Sequence, residues 1–156
     1  MLTFDINLDL NQFKYDEELV SDLRDFWKED AIRLLKPAFA RLFEREGAAR
    51  SLRRQFQTWD RLAPATMRQK QKLYPNQKIL QRTGRLFRSL TQNPVVVLDP
   101  LEMSYRTHVR YVVFHELGTR HLPQRSIFER VAVTATPILQ SALVRYLNKK
   151  TKEMYS

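Results

Sequence analysis

The stretch DEELVSDLRDFWKEDAIRLLKPAFARLFEREG, residues 16–47, decides the fold of this chain. Its apolar residues recur at intervals of three and four, which is the pattern of a helix that buries one face. Asp16 is placed to cap the N-terminus of this helix, and Gly47 is placed to end it. Pro37 lacks an amide proton, so we expect a kink or break near Lys36. The buried face is predicted to hold Leu19, Leu23, Phe26, Trp27, Leu34, Leu35, Ala38, Leu42 and Phe43.

Two β-rich segments outside this helix predict a small antiparallel sheet. Residues 2–9, LTFDINLD, alternate apolar and polar side chains, as a half-buried strand does. Residues 94–109, PVVVLDPLEMSYRTHV, hold two β-rich runs on either side of Asp99 and Pro100, which is a hairpin signal. The next stretch, RYVVFHELG at 110–118, fits a strand or a helix, and its periodicity does not decide between them.

A second apolar helix is predicted near the C-terminal end. Ser126 and Glu129 have the S-x-x-E spacing of a capping box, which opens a helix. Thr136 and Pro137 predict a restart or kink before the apolar run at 138–147. Helix, arm, sheet and helix in this order predict an α+β fold: a small antiparallel sheet with a long N-terminal helix, a basic extended arm and a C-terminal helix.

We predict that residues 1–156 form one domain. The positive charge of this domain is concentrated in a basic arm at about 48–92. Residues 51–90 have a net charge of +9, whereas residues 1–50 have a net charge of −3. A block of this kind binds phosphate, binds an acidic protein surface or is solvated. Its arginines favour a partner, because the planar guanidinium suits carboxylate and phosphate groups. The candidate interface or phosphate-facing residues are Arg53, Arg54, Trp59, Arg82, Arg85 and Arg88.

The arm is predicted to be mostly extended, with two short helices. One runs from about Pro64 to Leu73, and Thr83 caps the other. Gly84 is expected to serve backbone geometry rather than a ligand. Trp59 is either an anchor in an interface or a pin that holds the arm to its own core, and the second role is the commoner for a lone tryptophan.

The stretch HELGTRH, residues 115–121, has the residue types of a zinc-peptidase motif without its spacing. Zinc binding there needs two imidazoles one helical turn apart, with a glutamate between them as general base. Thr119 stands four residues after His115, and His121 comes six residues after it, about 240° around a helix. The chain also has no cysteine and no glycine-rich phosphate loop. We therefore expect no metal and no cofactor.

Hydropathy and the N-terminal residues bear on location. No apolar run approaches the ~20 residues of a membrane span, and the N-terminus lacks the basic region of a signal peptide. The absence of cysteine is compatible with a reducing compartment. We therefore expect a protein without a membrane partner.

Four short segments follow one another between about residues 55 and 130. They are WDRLAPAT (59–66), ILQRTGRLFRSL (79–90), YVVFHELGT (111–119) and LPQRSIF (122–128). In this order they resemble the bacteriophage virion-morphogenesis, or tail-completion, family. Its members have a tryptophan-proline-threonine segment, then L-x-x-T-G-x-L-x-x-S, Y-A-x-x-H/E-x-G and P-x-R-P-F segments. Val112 and Ser126 depart from this pattern, because the family prefers alanine and proline at those positions. The positions that match are Trp59, Pro64, Thr66, Thr83, Gly84, Leu86, Tyr111, His115, Glu116, Gly118, Pro123, Arg125 and Phe128.

The resemblance implies a small α+β protein without enzymatic activity, which completes the tail or joins tail to head as part of an oligomeric ring. Its partners would be further copies of itself and neighbouring tail or connector proteins, and DNA in the lumen is a further candidate contact. It would lie in the tail or neck of the virion, and in the host cytoplasm during assembly. His115 and Glu116 would lie in the last turn of a helix that Gly118 closes in a left-handed conformation. Independently of the resemblance, the position of Arg125 after Pro123 predicts that it ties its loop to the sheet.

The alternative interpretation is a free-standing basic nucleic-acid-binding protein. Its arginine block would neutralise phosphates. Phe56, Trp59 and Tyr74, which are interleaved with the arginines, would stack on bases. The partner of the arginines therefore stays open between an acidic neighbouring subunit, DNA and solvent.

Overall fold

The computed structural model describes residues 3–7, 17–47, 59–60, 62–74, 78–99 and 102–156, which form an α+β fold as the sequence predicts. The strands are β1 at Thr3–Asn7, β2 at Val95–Asp99 and β3 at Glu102–Arg106. The helices are α1 at Glu17–Phe26, α2 at Ile32–Gly47, α3 at Pro64–Leu73, α4 at Arg85–Thr91, α5 at Val112–Leu117 and α6 at Phe128–Met154. The predicted cap Asp16, the turn residue Pro100 and the arm residues Arg53, Arg54 and Phe56 lie outside the described residues.

The sheet is antiparallel, and its strand order is β1-β3-β2. β2 pairs with β3 so that Val96 lies opposite Tyr105, which confirms the predicted hairpin. β1 pairs with the other edge of β3 and places Phe4 opposite the same tyrosine. The central strand is therefore β3, and its residues Met103, Ser104 and Tyr105 are all buried.

The short helices settle three points of the sequence analysis. α3 begins at Pro64 and ends at Leu73, as predicted. The stretch that fitted a strand or a helix contains α5 and is helical. α4 begins at Arg85, whose amide donates to Thr83 Oγ1 at 3.4 Å, and Gly84 before it has φ 69° and ψ 5°. The predicted Thr83 cap is therefore wrong, because Gly84 occupies the N-cap position and no side chain caps the helix there. The glycine supplies the left-handed turn.

Of the kink or break predicted near Lys36, the break is wrong, because α2 continues through Pro37, and the kink stays a prediction. Arg33, whose carbonyl loses its amide partner at this proline, and Pro37 itself are both exposed, so water can satisfy the carbonyl. The helical geometry changes earlier, in a π turn at Trp27–Ala31 between α1 and α2. A π turn holds one extra residue. It keeps the four-residue spacing of the buried positions on one face, at Leu23, Trp27, Ala31, Leu35, Phe39 and Phe43.

The core lies where α2 meets the sheet and α6. Phe39 of α2 stacks on Tyr105 of β3 with a centroid distance of 5.2 Å, and its ring meets Phe128 of α6 edge to face at 5.5 Å. All three rings are buried. One phenylalanine therefore joins the N-terminal helix to both the sheet and the C-terminal helix, and such aromatic pairs add stabilisation beyond their buried area.

α6 runs through Pro137 as one helix, so the restart predicted at Thr136 and Pro137 is wrong, whereas the alternative of a kink there stays a prediction. Pro137 and Val133, whose carbonyl it leaves without an amide, are both exposed to solvent. The Thr136 hydroxyl instead donates to the carbonyl of Ala132 at 2.7 Å. No helix among the described ranges is both long enough and apolar enough to cross a membrane.

We expect Leu23→Ala and Leu143→Ala each to lower the free energy of unfolding by about 2–5 kcal/mol, because both leucines are buried and truncation leaves a cavity. Val144→Ala is the matched control, since Val144 is 57% exposed and its truncation should cost less than about 0.5 kcal/mol. Urea unfolding of the purified variants measures all three. A neutral result for either leucine would show that its helix does not pack as the structure has it.

Candidate anion-binding cleft

The Glu116 carboxylate caps α6 from a different helix. Glu116 is 7% exposed and lies near the end of α5. Its Oε2 accepts the amide protons of Ile127 at 2.7 Å and Phe128 at 3.2 Å, and its Oε1 accepts that of Glu129 at 3.1 Å. These amides begin the first turn of α6, where a helix favours negative charge. The glutamate of the HELG stretch thus has a structural role.

The predicted capping box at the same helix is wrong. Ser126 Oγ donates to the Glu129 carboxylate at 3.2 Å instead of accepting a backbone amide. The amides that a serine cap would take are already bonded to Glu116. A buried carboxylate with charge-assisted hydrogen bonds displaces a neutral hydroxyl from this role.

Gly118 has a positive φ, as predicted, but it does not form the predicted left-handed helix cap. Its φ is 73° and its ψ is 167°, an extended conformation that essentially only glycine adopts. A Cβ at this position would lie 3.1 Å from the backbone nitrogen of Gln124. The close approach lets the His115 carbonyl accept the Arg125 amide at 2.6 Å. The glycine therefore joins the end of α5 to the segment before α6.

Trp59 is a core residue, so its candidate role as an exposed interface anchor is corrected. It is 5% exposed, and its ring meets Phe43 edge to face at 5.7 Å. Its backbone amide donates to Glu46 Oε2 at 3.1 Å, and its Nε1 donates to the Ser126 carbonyl at 3.0 Å. It pins the start of the described part of the arm to α2 and to the segment before α6.

Arg125 ties its loop to the tryptophan segment, not to the sheet as predicted. It is 4% exposed, and one guanidinium nitrogen donates to the Asp60 carbonyl at 3.1 Å. Burial lowers the pKa of this guanidinium, and attraction to Asp60 partly opposes that effect. Together with Trp59 and Glu116, this contact brings three of the four family-like segments to one junction.

The remaining family-like segment, residues 79–90, lines a cleft beside this junction. The cleft has a volume of about 850 Å³ and lies between α3, the turn and helix at 78–91, and α5. The lining comprises Leu62, Thr66, Gln69, Lys70, Leu73, Tyr74, Leu80, Arg82, Thr83, Arg85, Arg88, Tyr111 and His115. Among the described residues, this lining includes cationic and apolar side chains and no carboxylate. This composition suits an anionic ligand.

Three of the four cationic side chains of the lining contact neutral groups. Lys70 Nζ donates to the carbonyl of Lys78, Arg88 donates to the carbonyl of Thr83 at 3.1 Å, and the Arg82 guanidinium lies 5.2 Å from the centre of the Tyr74 ring. Within the described ranges, none of Lys70, Arg82, Arg85 and Arg88 forms an ion pair. Their charge is therefore available to a partner.

Two groups in the lining, Lys70 and His115, are affected by burial and by the positive charge of the nearby Arg125. Burial lowers the pKa of Lys70, and the nearby Arg125 lowers it further. Burial and then Arg125 likewise lower the pKa of His115, whose Nδ1 is buried without a hydrogen-bond partner. An anion bound in the cleft would offset the repulsion by Arg125 at both groups.

The structure assembles only part of the predicted site. Arg82, Arg85 and Arg88 are exposed at the cleft, whereas Arg53 and Arg54 lie outside the described residues. Sequence reasoning missed Lys70 as a member of the same site. Thr66, Lys70 and Leu73 are spaced by four and three residues, which places them on one face of α3, and this spacing was the available signal.

Among the described residues there is no cluster of three or more histidine or carboxylate side chains that could hold a metal ion. No model of a known protein family, no curated protein and no solved structure matches this chain. The resemblance to tail-completion proteins therefore rests on the four sequence segments alone. What the structure adds is where these segments lie relative to one another.

We expect Glu116→Gln to lower the free energy of unfolding by about 1–3 kcal/mol. The side-chain NH2 group of the glutamine would then face a buried backbone N–H that had donated to the carboxylate. Ser126→Ala, the change that the capping-box prediction would make costly, should change stability by less than about 0.5 kcal/mol. Thermal and urea unfolding compare the two variants. The reverse ranking would restore the capping box and remove Glu116 from its assigned role.

Stability should also fall as the pH drops just below the ordinary histidine range. Because the folded pKa of His115 is lowered from 6.5, the unfolded chain takes up a proton in a window in which the folded protein does not. Stability is therefore complete above this window and decreases as the pH falls through it. Urea unfolding between about pH 7 and about pH 5.5 should show a smaller decrease for His115→Gln. The exposed His121→Gln control should keep the wild-type decrease, and equal decreases in all three proteins would contradict the assignment.

Proposed function

We propose that this protein is a non-enzymatic structural component of phage virion assembly, which completes the tail or joins tail to head as a subunit of an oligomeric ring. The observation that supports this proposal best is the convergence of the four family-like segments. Residues 59–66, 111–119 and 122–128 meet through Trp59, Arg125 and Glu116. Segment 79–90 completes the cleft beside them. Four weak motifs that form one connected unit are less readily explained by chance than four scattered ones.

The cleft supplies the means of binding. Its cations lack acidic partners within the described residues, and a virion component acts by holding neighbours in register. Opposite charge in a neighbour would speed encounter and fix the orientation of docking. In this proposal α2, α6 and the sheet form the protomer body, and the cleft is a contact surface.

A free-standing nucleic-acid-binding protein is the second candidate. The same four cations favour it, because they would also neutralise phosphates. Its stacking platform is weaker than the sequence suggested. Trp59, one of the three aromatic residues assigned to stacking, is buried against Phe43. We therefore place nucleic-acid binding second.

Deletion of this gene from the phage or prophage that carries it tests the proposal. We expect the deletion to abolish infectious particles while unjoined or incomplete heads and tails accumulate, which electron microscopy of the lysate would show. A plasmid copy should restore the titre. Arg82→Ala combined with Arg85→Ala should restore it poorly, whereas Arg33→Ala with Arg41→Ala, which removes the same charge from α2, should restore it fully. A deletion strain that yields normal particles would refute the virion role.

The mass of the purified protein in solution tests the ring separately. Light scattering should give a multiple of the 18.6 kDa protomer mass, and negative-stain images should show closed particles. If the protein stays monomeric alone and in the presence of tails, the ring is wrong even where the deletion phenotype is as expected.

A further inference from the structure

We infer that the cleft binds an acidic protein segment with apolar anchor residues, and that α3 closes over it. This inference rests on the proposed function in taking the ligand from a neighbouring protein. The ligand is an acidic segment of that neighbour with apolar anchor residues, and α3 is the element that responds to it.

The first observation is that α3 has no buried residue of its own. A helix of ten residues is marginal in water, and packing of an apolar face normally supplies its stability. Here Met67 is 43% exposed and Leu73 is 56% exposed, so the apolar side chains of the helix are uncovered. The side-chain hydrogen bond from α3 to the neighbouring turn runs from Lys70 to the Lys78 carbonyl. α3 is therefore a wall of the cleft that a ligand would stabilise.

The second observation is the arrangement of charge and apolar surface in the lining. Lys70 lies on α3, and Arg82 and Arg85 lie in the turn and helix at 78–91, so a ligand in the cleft meets cations from two elements. Leu62, Leu73 and Leu80 supply apolar surface between these cations. Carboxylates on a peptide would pair with the cations while its leucine or phenylalanine side chains cover the leucines.

The aromatic residues of the lining decide between a peptide and a single nucleic-acid strand. Binding of a strand relies on open aromatic faces on which bases stack. One face of Tyr74 is covered by the Arg82 guanidinium, and the Tyr111 ring meets His115 edge to face at 6.0 Å. The remaining apolar surface is aliphatic, which offers leucine or phenylalanine a contact but gives bases no platform. A volume of about 850 Å³ accommodates a few side chains, as in small-ligand sites.

Leu80 adds a third observation, because its backbone is strained where it lines the cleft. Its φ is 59°, in the left-handed region that side chains with a Cβ rarely adopt. Strain of this kind clusters at ligand sites, where the surrounding structure maintains it. The turn that holds Leu80 in this conformation also carries Arg82, so the strained backbone presents an apolar and a cationic group to the same opening.

Binding of a defined peptide to the purified full-length protein tests the inference. The probe is a fluorescein-labelled peptide in which Asp and Glu alternate with Leu and Phe, and its control has Asn and Gln in place of the acids. An oligothymidylate of equal charge is the nucleic-acid probe. At physiological ionic strength, anisotropy should show that the acidic peptide binds at least about ten-fold more tightly than the amide control and than the oligothymidylate.

Matched variants locate the binding. Arg82→Ala with Arg85→Ala should weaken acidic-peptide binding about ten-fold or more, whereas Arg33→Ala with Arg41→Ala should change it less than about three-fold. Leu73→Ser should also weaken it without loss of fold, because Leu73 is already exposed. Hydrogen exchange should show new protection at the amides of residues 67–73 when the acidic peptide is bound.

Four outcomes would overturn the inference. Tighter binding of oligothymidylate than of the acidic peptide would assign the cleft to nucleic acid. Equal losses in the two double arginine variants would show non-specific attraction by net charge, and peptide binding without new protection in α3 would refute the closure. Failure of the virion role can be distinguished from failure of this inference. In that case the deletion strain would yield normal particles while the purified protein still bound the peptide. Absence of peptide binding in a protein whose deletion blocks assembly would reject this inference alone.

Discussion

The rest of the structure depends on the buried carboxylate of Glu116. A carboxylate that is removed from water must be compensated, and here three backbone amides at the start of α6 accomplish this. The same hydrogen bonds satisfy amides that the first turn of a helix leaves without partners. The same hydrogen bonds therefore offset the desolvation of the carboxylate, satisfy the first amides of α6 and join α5 to α6. A displacement of α5 would break the hydrogen bonds between Glu116 and the first amides of α6.

Other contacts extend the constraint outward from the cap. The Arg125 amide bonds to the His115 carbonyl, its guanidinium bonds to the Asp60 carbonyl, and the Trp59 indole bonds to the Ser126 carbonyl. One wall of the cleft, α5, is thus fixed to the core through several hydrogen bonds. Another wall, α3, has no buried residue. This contrast between a fixed wall and a weakly held one underlies the inference that a ligand completes the site.

The elements themselves could be predicted from local pattern. The helical stripe of residues 17–47, the short helix that begins at Pro64 and the hairpin of β2 and β3 all follow from spacing, because a helix and a strand repeat with different periods. Both expectations of a helix break at proline were wrong. Pro37 and Pro137 are exposed, and a missing amide matters less where water can satisfy the carbonyl. Whether water reaches the carbonyl depends on which face of the helix is buried. The elements that bury it come from distant parts of the chain.

For the candidate site, the sequence by itself determined the concentration of positive charge between residues 51 and 90 and the arginines at 82, 85 and 88. It also determined that the HELG stretch lacks the spacing of a zinc site. Only the tertiary structure decided that Trp59 is buried, that Lys70 faces the same cleft as the arginines, and that Glu116 rather than Ser126 caps α6. The physical reason is that burial and hydrogen-bond partners depend on contacts between residues far apart in the sequence, whereas periodicity, capping signals and charge density are properties of neighbours.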